Sequence, residues 1–417
     1  MKRIAFWLAA GLMLHGCASR PLTLDAPQSS SVVRKQMLDA IESGDRATLT
    51  RSAIDLAGMG ASLSDASIDR IAPLLDLSLL ADVANQPRTG FPDGVTALRT
   101  WFRDNGKVHA PRPEELVATV PAEYRLVEGI AWDPARKRLF IGTVVDGRLA
   151  YLEDGVWHEV PVGSPRGGLF GMAVDAKRGL LWIATGSVDQ TAVTGERMTG
   201  LIAVDLDTLK VVRRVALSGN APGVAGDVAL APDGTVFVSN SMSGAIHRCR
   251  PGCAALDDLV PAGRFRSPQG MALSKRGGRL YVADYGTGLW VVETRTGQVS
   301  PMRVAQATML DGVDGLVAAH RALPAGEGLV AIQNGTRPRR IIRLHPGRSA
   351  DIVRHAVPLL ALSPDGPEPT LGVLVGDSLY YIGDGQWERY GPGGALKDGQ
   401  PPRGTPILQL PVMDIGI

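Results

Sequence analysis

The chain has 417 residues, with 44 basic and 42 acidic side chains and a formal charge of +2. That balance leaves no electrostatic footprint for nucleic acid, and no apolar run is long enough to span a bilayer. The length exceeds one typical domain, and 50 glycines with 29 prolines imply many turns.

Residues 1–17 read as an export signal. Lys2 and Arg3 form a charged start, and Ile4 to Leu14 an apolar run of signal-core length. The run ends in Leu14-His15-Gly16-Cys17, which resembles a bacterial lipobox. Cys17 is therefore the expected lipidation site, with a plain secreted chain and an uncleaved anchor as alternatives. Ala18 is not an acid, which by family analogy favours an outer-membrane lipoprotein facing the periplasm or the surface. Its membrane contact would run through the N-terminal lipid. Residues 18–30 are rich in Ser, Pro and Thr and read as a tether.

From Ser31 the apolar spacing becomes helical. Val33, Met37, Ala40 and Ile41 share one face, and Ser43-Gly44-Asp45 stops that helix. Leu49, Ala53, Leu56 and Ala57 form the next face, ended by Gly58 and Gly60. Ser64 suits the N-cap of a third helix carrying Ile68, Ile71 and Leu75, which Pro73 should kink or restart. A weaker helical pattern runs from Val95 to Asp104. Residues 31–105 thus predict a small helical region, either a packing appendage or a surface for a protein partner. Residues 106–115 (GKVHAPRPEE) read as a linker.

Beyond the linker six segments share one pattern: a small or polar residue, Gly, an aliphatic pair, a turn, then an apolar strand. They are EGIAWDPARKRLFIGT from Glu128, FGMAVDAKRGLLWIAT from Phe170, GDVALAPDGTVFVSN from Gly226, QGMALSKRGGRLYVAD from Gln269, DGLVAAHRALPAGEGLVAI from Asp314 and LGVLVGDSLYYIG from Leu371. A repeat of about 40 to 50 residues with several short strands is the mark of a propeller. Between Gly270 and Val304 four apolar runs, MALS, RLYVAD, GLWVVE and QVSPMRV, make one four-stranded blade. The expected fold is all-β over residues 116–417, a six-bladed β-propeller preceded by the helical region. Its last blade has only three strands at the C-terminal end, so LVATV (Leu116 to Val120) should supply the fourth and close the circle.

Innermost strands of a propeller line a central channel, so equivalent positions form a ring. Here the ring reads Glu128, Phe170, Gly226, Gln269, Asp314 and Leu371. Two carboxylates about 6 Å apart at an effective dielectric of 20 repel by roughly 3 kcal/mol. One must protonate, or a cation must sit between them. Two carboxylates with an amide carbonyl suit a hard divalent cation, calcium first, with magnesium, zinc and manganese as alternatives.

These motifs resemble the senescence-marker/gluconolactonase family, which includes regucalcin, over about Leu116 to Ile417. VEGIAWDP (Val127 to Pro134) is similar to the first-blade motif, which implies that Glu128 is a metal ligand. VDGL (Val313 to Leu316) is similar to the fifth-blade motif, which implies that Asp314 is a ligand and the catalytic base. SPQGMALS places Gln269 where the family has a ligating Asn. In AGDVALAPDGTVFVSNS, Gly226 replaces the family's substrate-contacting Asn, and Asp227 is the candidate substitute for substrate binding. The implied activity is metal-dependent hydrolysis of a lactone or related ester, a small-molecule substrate. The competing reading is a non-catalytic envelope propeller that binds a ligand or protein partner around a structural cation.

Each site residue also has a plainer reading. Glu128 could be a polar turn residue, Asp314 part of Asp-Gly turn chemistry, Gln269 a channel hydrogen-bonder and Asp227 a loop cap. Asn240, Asp284 and Asn334 follow second strands and read as turn-fixing residues. Arg337, Arg339 and Arg340 read as a solvated loop, with an anionic ligand as the alternative. Cys249 and Cys253 in CRPGC flank a Pro-Gly turn, and in an oxidising compartment a disulfide is expected.

Overall fold

The computed structural model describes residues 30–84, 93–111, 113–217, 223–305, 308–320, 327–347, 351–363 and 365–412. The signal segment, Cys17 and nearly all of the tether lie outside the described residues. Ser30, assigned to the tether by sequence, is already buried and helical.

The helical region contains α1 (Ser30–Ser43), α2 (Arg46–Gly58), α3 (Asp65–Ile71), α4 (Leu77–Ala84) and α5 (Gly94–Asn105). Asp45, read as a stop signal, is also the N-cap of α2, accepting from Thr48 N. Ser64 caps α3 as expected, and Pro73 turns the chain into a 3-10 turn at Ala72–Leu74. The predicted faces meet in one core of Val33, Met37, Leu49, Leu56, Ile68 and Phe102. Helix α4 is not marked by the sequence pattern, because its apolar residues form a short dense run without a helical period.

Strand β1 (Glu115–Val120) precedes the first blade, which contains β2 (Val127–Asp133), β3 (Arg138–Thr143), β4 (Leu149–Glu153) and β5 (Val156–Val160). Blade two holds β6 (Gly168–Asp175), β7 (Leu180–Gly186), β8 (Gly200–Asp205) and β9 (Val211–Ala216). Blade three holds β10 (Ala225–Leu230), β11 (Val236–Asn240), β12 (Ala245–Cys249) and β13 (Asp257–Val260). Blade four holds β14 (Pro268–Leu273), β15 (Arg279–Asp284), β16 (Gly288–Glu293) and β17 (Val299–Pro301). In blade five β18 (Arg303–Val304) joins the outer edge of β19 (Val313–Ala318), β20 (Leu329–Gln333), β21 (Arg340–Pro346) and β22 (Ile352–Ala361). Blade six runs β23 (Gly372–Val375), β24 (Ser378–Ile382), β25 (Thr405–Pro411) and then β1. The closure predicted from LVATV is present: β1 pairs antiparallel with β25 from Glu115↔Gln409 to Val120↔Thr405. Glu115, placed in the linker by sequence, is thus a strand residue. Tyr381 of β24 also donates its hydroxyl to Glu114, pinning the seam.

The six innermost strands touch in cyclic order β2, β6, β10, β14, β19, β23 and back to β2. Five of them carry a register shift at their upper end: Val127/Gly129, Leu169/Met172, Ala225/Val228, Pro268/Met271 and Val313/Gly315. A bulge leaves one residue unpaired and re-aims its side chain. The ring positions Glu128, Phe170, Gly226, Gln269 and Asp314 all fall in these bulges. The glycine that follows the ring residue in most repeats has a packing cause. A Cβ on Gly129 would stand 2.3 Å from Phe170 O, and one on Gly270 would stand 2.4 Å from Leu316 N. Only hydrogen lets the next blade approach that closely.

The helical region docks on blade five beside the channel mouth. Asp311 caps α1 from across the interface, accepting from Ser30 N at 3.1 Å, Ser30 Oγ at 2.8 Å and Ser31 N at 2.9 Å. Burial lowers the pKa of Arg34, and the Asp311 charge opposes that shift. Met309 packs into the helical core, and its N–H donates to Met59 O at 3.1 Å. Ser62 N donates to Arg337 O at 3.0 Å. Asp311→Ala removes a cap and strands a buried cation, at a cost of about 3 kcal/mol. Denaturant titration should show that loss, and limited proteolysis should cut within α1–α5 before the propeller. Unchanged protease resistance would mean that the interface does not depend on Asp311.

Candidate functional site

Glu128 and Asp314 project from bulges of blades one and five. Glu128 is only 6% exposed. Burial raises its pKa well above the ordinary carboxylate range, and the Asp314 charge raises it further. Burial likewise raises Asp314, to about 6. Neither carboxylate forms an ion pair among the described residues. The two ring acids are thus both buried, and the charge of Asp314 makes ionising Glu128 harder.

A side-chain N–H donates to each of them. Trp387 Nε1 donates to Glu128 Oε2 at 2.9 Å. Trp387 opens a 3-10 turn whose preceding residue, Gln386, has φ 59°. Asn334 Nδ2 donates to Asp314 Oδ2 at 2.7 Å and to Pro369 O at 3.0 Å, while its Oδ1 accepts from the Tyr285 hydroxyl at 3.0 Å. Asn240 and Asp284 follow their strands in the same way, yet they serve backbone groups: Asn240 accepts from Ser243 N and Asp284 from Gly286 N. Asn334 departs from that turn-fixing role because the ring position of its own blade is an acid.

Besides Trp387, three participants carry no signal in the repeat pattern. Thr370, just before the ring residue Leu371, is fully buried beside Glu128, and its hydroxyl favours the charged form of that carboxylate. Glu368 is pushed up to about 7 by burial; Arg339 opposes that shift and Asp314 adds to it. It lines a polar cavity of about 350 Å³ on the rim, with Arg339, Asp384, Gln386 and Arg389. Tyr285 is raised by burial and by the charges of Asp314 and Glu368. A search for further acids near the sixth repeat would find Glu368, but nothing in its spacing marks it.

The other predicted residues lie elsewhere on the ring. Gln269 donates its amide to Ser267 Oγ at 3.1 Å, leaving Oε1 3.9 Å from the point where a Cβ on Gly226 would stand. Gln269 thus leans toward the place of the missing side chain. Asp227 occupies the position that is glycine in the neighbouring repeats. Its Oδ2 accepts from Met271 N at 2.8 Å, and its Oδ1 stands 2.3 Å from a Cβ placed on Gly171. It stands between Gly171 of blade two and Met271 of blade four and lines a channel cavity of about 290 Å³. Burial raises it to about 7, against the pull of the Met271 N–H. Arg339 and Arg340, read as solvated, are buried: Arg340 lies against Gly60 of the helical region and donates to Gln333 Oε1 at 2.9 and 2.7 Å, and Arg339 donates to Gly366 O. Cys249 and Cys253 form a disulfide, with Cα atoms 5.5 Å apart.

The polar groups that the ring and its neighbours offer, the Glu128 and Asp314 carboxylates, the Gln269 amide and the Thr370 hydroxyl, present oxygen as their donor atoms, a chemistry that suits calcium or magnesium better than zinc. Among the described residues no group of three or more His, Cys, Asp and Glu side chains is placed to hold a metal. With two charged ligands, affinity should fall at the weak end for calcium, about 10⁻⁵ to 10⁻³ M.

No family model matches the chain, and no curated protein matches it. Among solved structures the chain is similar to a regucalcin, a calcium-binding protein, from Agrobacterium tumefaciens, at 17% identity and a TM-score of 0.46, covering 71% of this chain and 93% of that one. It is similar to a gluconolactonase from Xanthomonas campestris at 16% identity and a TM-score of 0.47, covering 73% and 99%. It is also similar to an aldose sugar dehydrogenase from Streptomyces coelicolor at 15% identity and a TM-score of 0.48, covering 73% and 99%. At these identities the likeness concerns the propeller and assigns no chemistry.

Two outcomes follow from the charges. If the two ring carboxylates hold calcium they must both be ionised, so affinity measured by calorimetry should rise with pH through the Asp314 range near 6 and continue to rise above it as Glu128 ionises. Glu128→Gln and Asp314→Asn should each weaken it by about 100-fold, and unchanged affinity would remove these residues from the site. The Asp227 carboxyl has a folded pKa of about 7 against an ordinary 3.8, so the folded state holds the extra proton. Stability of the metal-free chain should therefore fall as pH rises from about 4 to about 7. Asp227→Asn should flatten that fall in thermal unfolding; an equally steep fall would assign the proton elsewhere.

Proposed function

We propose that the protein is a metal-dependent hydrolase acting on a lactone or related ester at the mouth of the propeller channel. The observation that carries this reading is the buried, mutually opposed pair Glu128 and Asp314, with no cationic side chain bonded to either among the described residues. Such a pair is costly unless it has a use for a positive charge. A bound divalent cation supplies Lewis acidity toward a carbonyl and lowers the pKa of a water.

Glu128, Asp314 and Gln269 would hold the cation through oxygen. The Trp387 indole fixes Glu128 in one orientation, and the Tyr285–Asn334 relay fixes Asp314. Burial holds Asp314 at about 6 in the metal-free chain, and a bound cation would favour its carboxylate form, the form that accepts a proton. Glu368, at about 7, is a second group on the rim able to exchange a proton in that range. The proposal includes an envelope location, with the chain anchored through lipid on Cys17; a mass spectrum of the native N-terminus showing unmodified Cys17 would contradict that part.

A panel of lactones and aryl esters, assayed with calcium and with chelator, tests the activity. At least one substrate should be hydrolysed only with the cation present, and Asp314→Asn should lower kcat by about 100-fold or more. Calcium binding without turnover of any substrate would replace the hydrolase with a ligand-binding propeller.

A further inference from the structure

We infer that the site selects molecules carrying a carboxylate, and that Arg337 is the residue that recognises it. This rests on the hydrolase reading and narrows its substrate class. Arg337 lies in the turn after β20, three residues beyond Asn334. It is partly buried and forms no ion pair among the described residues. Its Nη1 reaches only backbone carbonyls, Asn334 O at 3.4 Å and Thr336 O at 3.3 Å. Nε and Nη2, one edge of the guanidinium, have no partner among the described residues. Neighbouring Arg339 differs, since its Nη groups go to Gly366 O and Glu388.

Burial lowers the pKa of Arg337, and the like charge of Arg339 lowers it further. Glu388 and Glu368 are the acids whose charges oppose this, yet neither pairs with Arg337. A partly desolvated cation without a counter-ion is unfavourable until an anion arrives. Two further polar groups of this turn are buried and unpartnered: the Thr336 hydroxyl, on a residue 7% exposed, and Arg339 Nε, on a residue 5% exposed. A guanidinium edge takes a planar carboxylate through two parallel N–H bonds, which a neutral hydroxyl cannot match in charge or geometry.

The turn is also held rigid before any ligand arrives. Ser62 N grips the Arg337 carbonyl from the helical region at 3.0 Å. The Tyr285 hydroxyl oxygen stands 2.6 Å from a Cβ placed on Gly335, and the Thr336 methyl 3.1 Å from one placed on Gly312. Recognition therefore needs little ordering. The same turn carries Asn334, so a carboxylate docked on Arg337 shares its support with the ring acid Asp314.

The test pairs lactones that differ only in a carboxylate or the corresponding carboxamide, assayed on the full calcium-loaded chain. The wild type should favour the acid in kcat/KM by about 10- to 100-fold. Arg337→Met should abolish that preference by raising KM for the acid, leaving the amide unchanged, and Arg337→Lys should retain part of it. Equal wild-type rates for the two, or an equal loss on both in Arg337→Met, would overturn the assignment. A second arm does not depend on turnover: calorimetry with glutarate and glutaramide. If no lactone is hydrolysed but glutarate binds wild type and not Arg337→Met, the carboxylate site stands and the hydrolase falls. If glutarate binds neither chain, or both alike, the carboxylate site falls.

Discussion

Two negative charges directed at one axis are the constraint on which the site depends. A six-bladed circle brings the upper ends of six strands together, and bulges turn the unpaired residue of five of them inward. At two bulges that residue is an acid. Burial among the close-packed blades raises both pKa values, and the Asp314 charge raises that of Glu128 further. The neighbouring architecture then holds the acids in place without neutralising them. An indole N–H and an amide N–H each bond one carboxylate, and among the described residues no arginine or lysine answers either.

Much of this is legible in the amino-acid order alone. The repeat and its spacing specify the blades, and LVATV is the one segment left over to serve as the missing strand. The ring is legible because one position per repeat has one structural role. The glycine after it also has a meaning that only packing reveals: at Gly129 and Gly270 the next blade's backbone occupies the place of a side chain. Asp227 breaks the pattern: its carboxylate accepts from Met271 N of blade four and stands against Gly171 of blade two. Glu368, Thr370, Tyr285 and Trp387 stay hidden because loops, not repeat positions, bring them to the rim. Loop residues have no period, so their convergence is a property of three dimensions.

The helical region is tied into the site's supports. Its α1 is capped by a propeller residue, Asp311, and its Ser62 bonds the Arg337 carbonyl. That turn carries Asn334, which holds Asp314. Apolar spacing leaves this region open between a packing appendage and a partner surface. The contacts give it a third character, that of a brace on the loop that orients a ring acid. Such bracing matters because a ligating or proton-accepting group must be held by more than its own rotamer.

The central claim is that Glu128 and Asp314 are shaped by a cation between them. A crystal structure of the full chain grown with manganese, with anomalous data collected at the manganese edge, tests it most directly. The account expects one strong peak at the channel mouth within coordination distance of both carboxylates. A peak elsewhere, or none at a manganese concentration that saturates binding in solution, would contradict it.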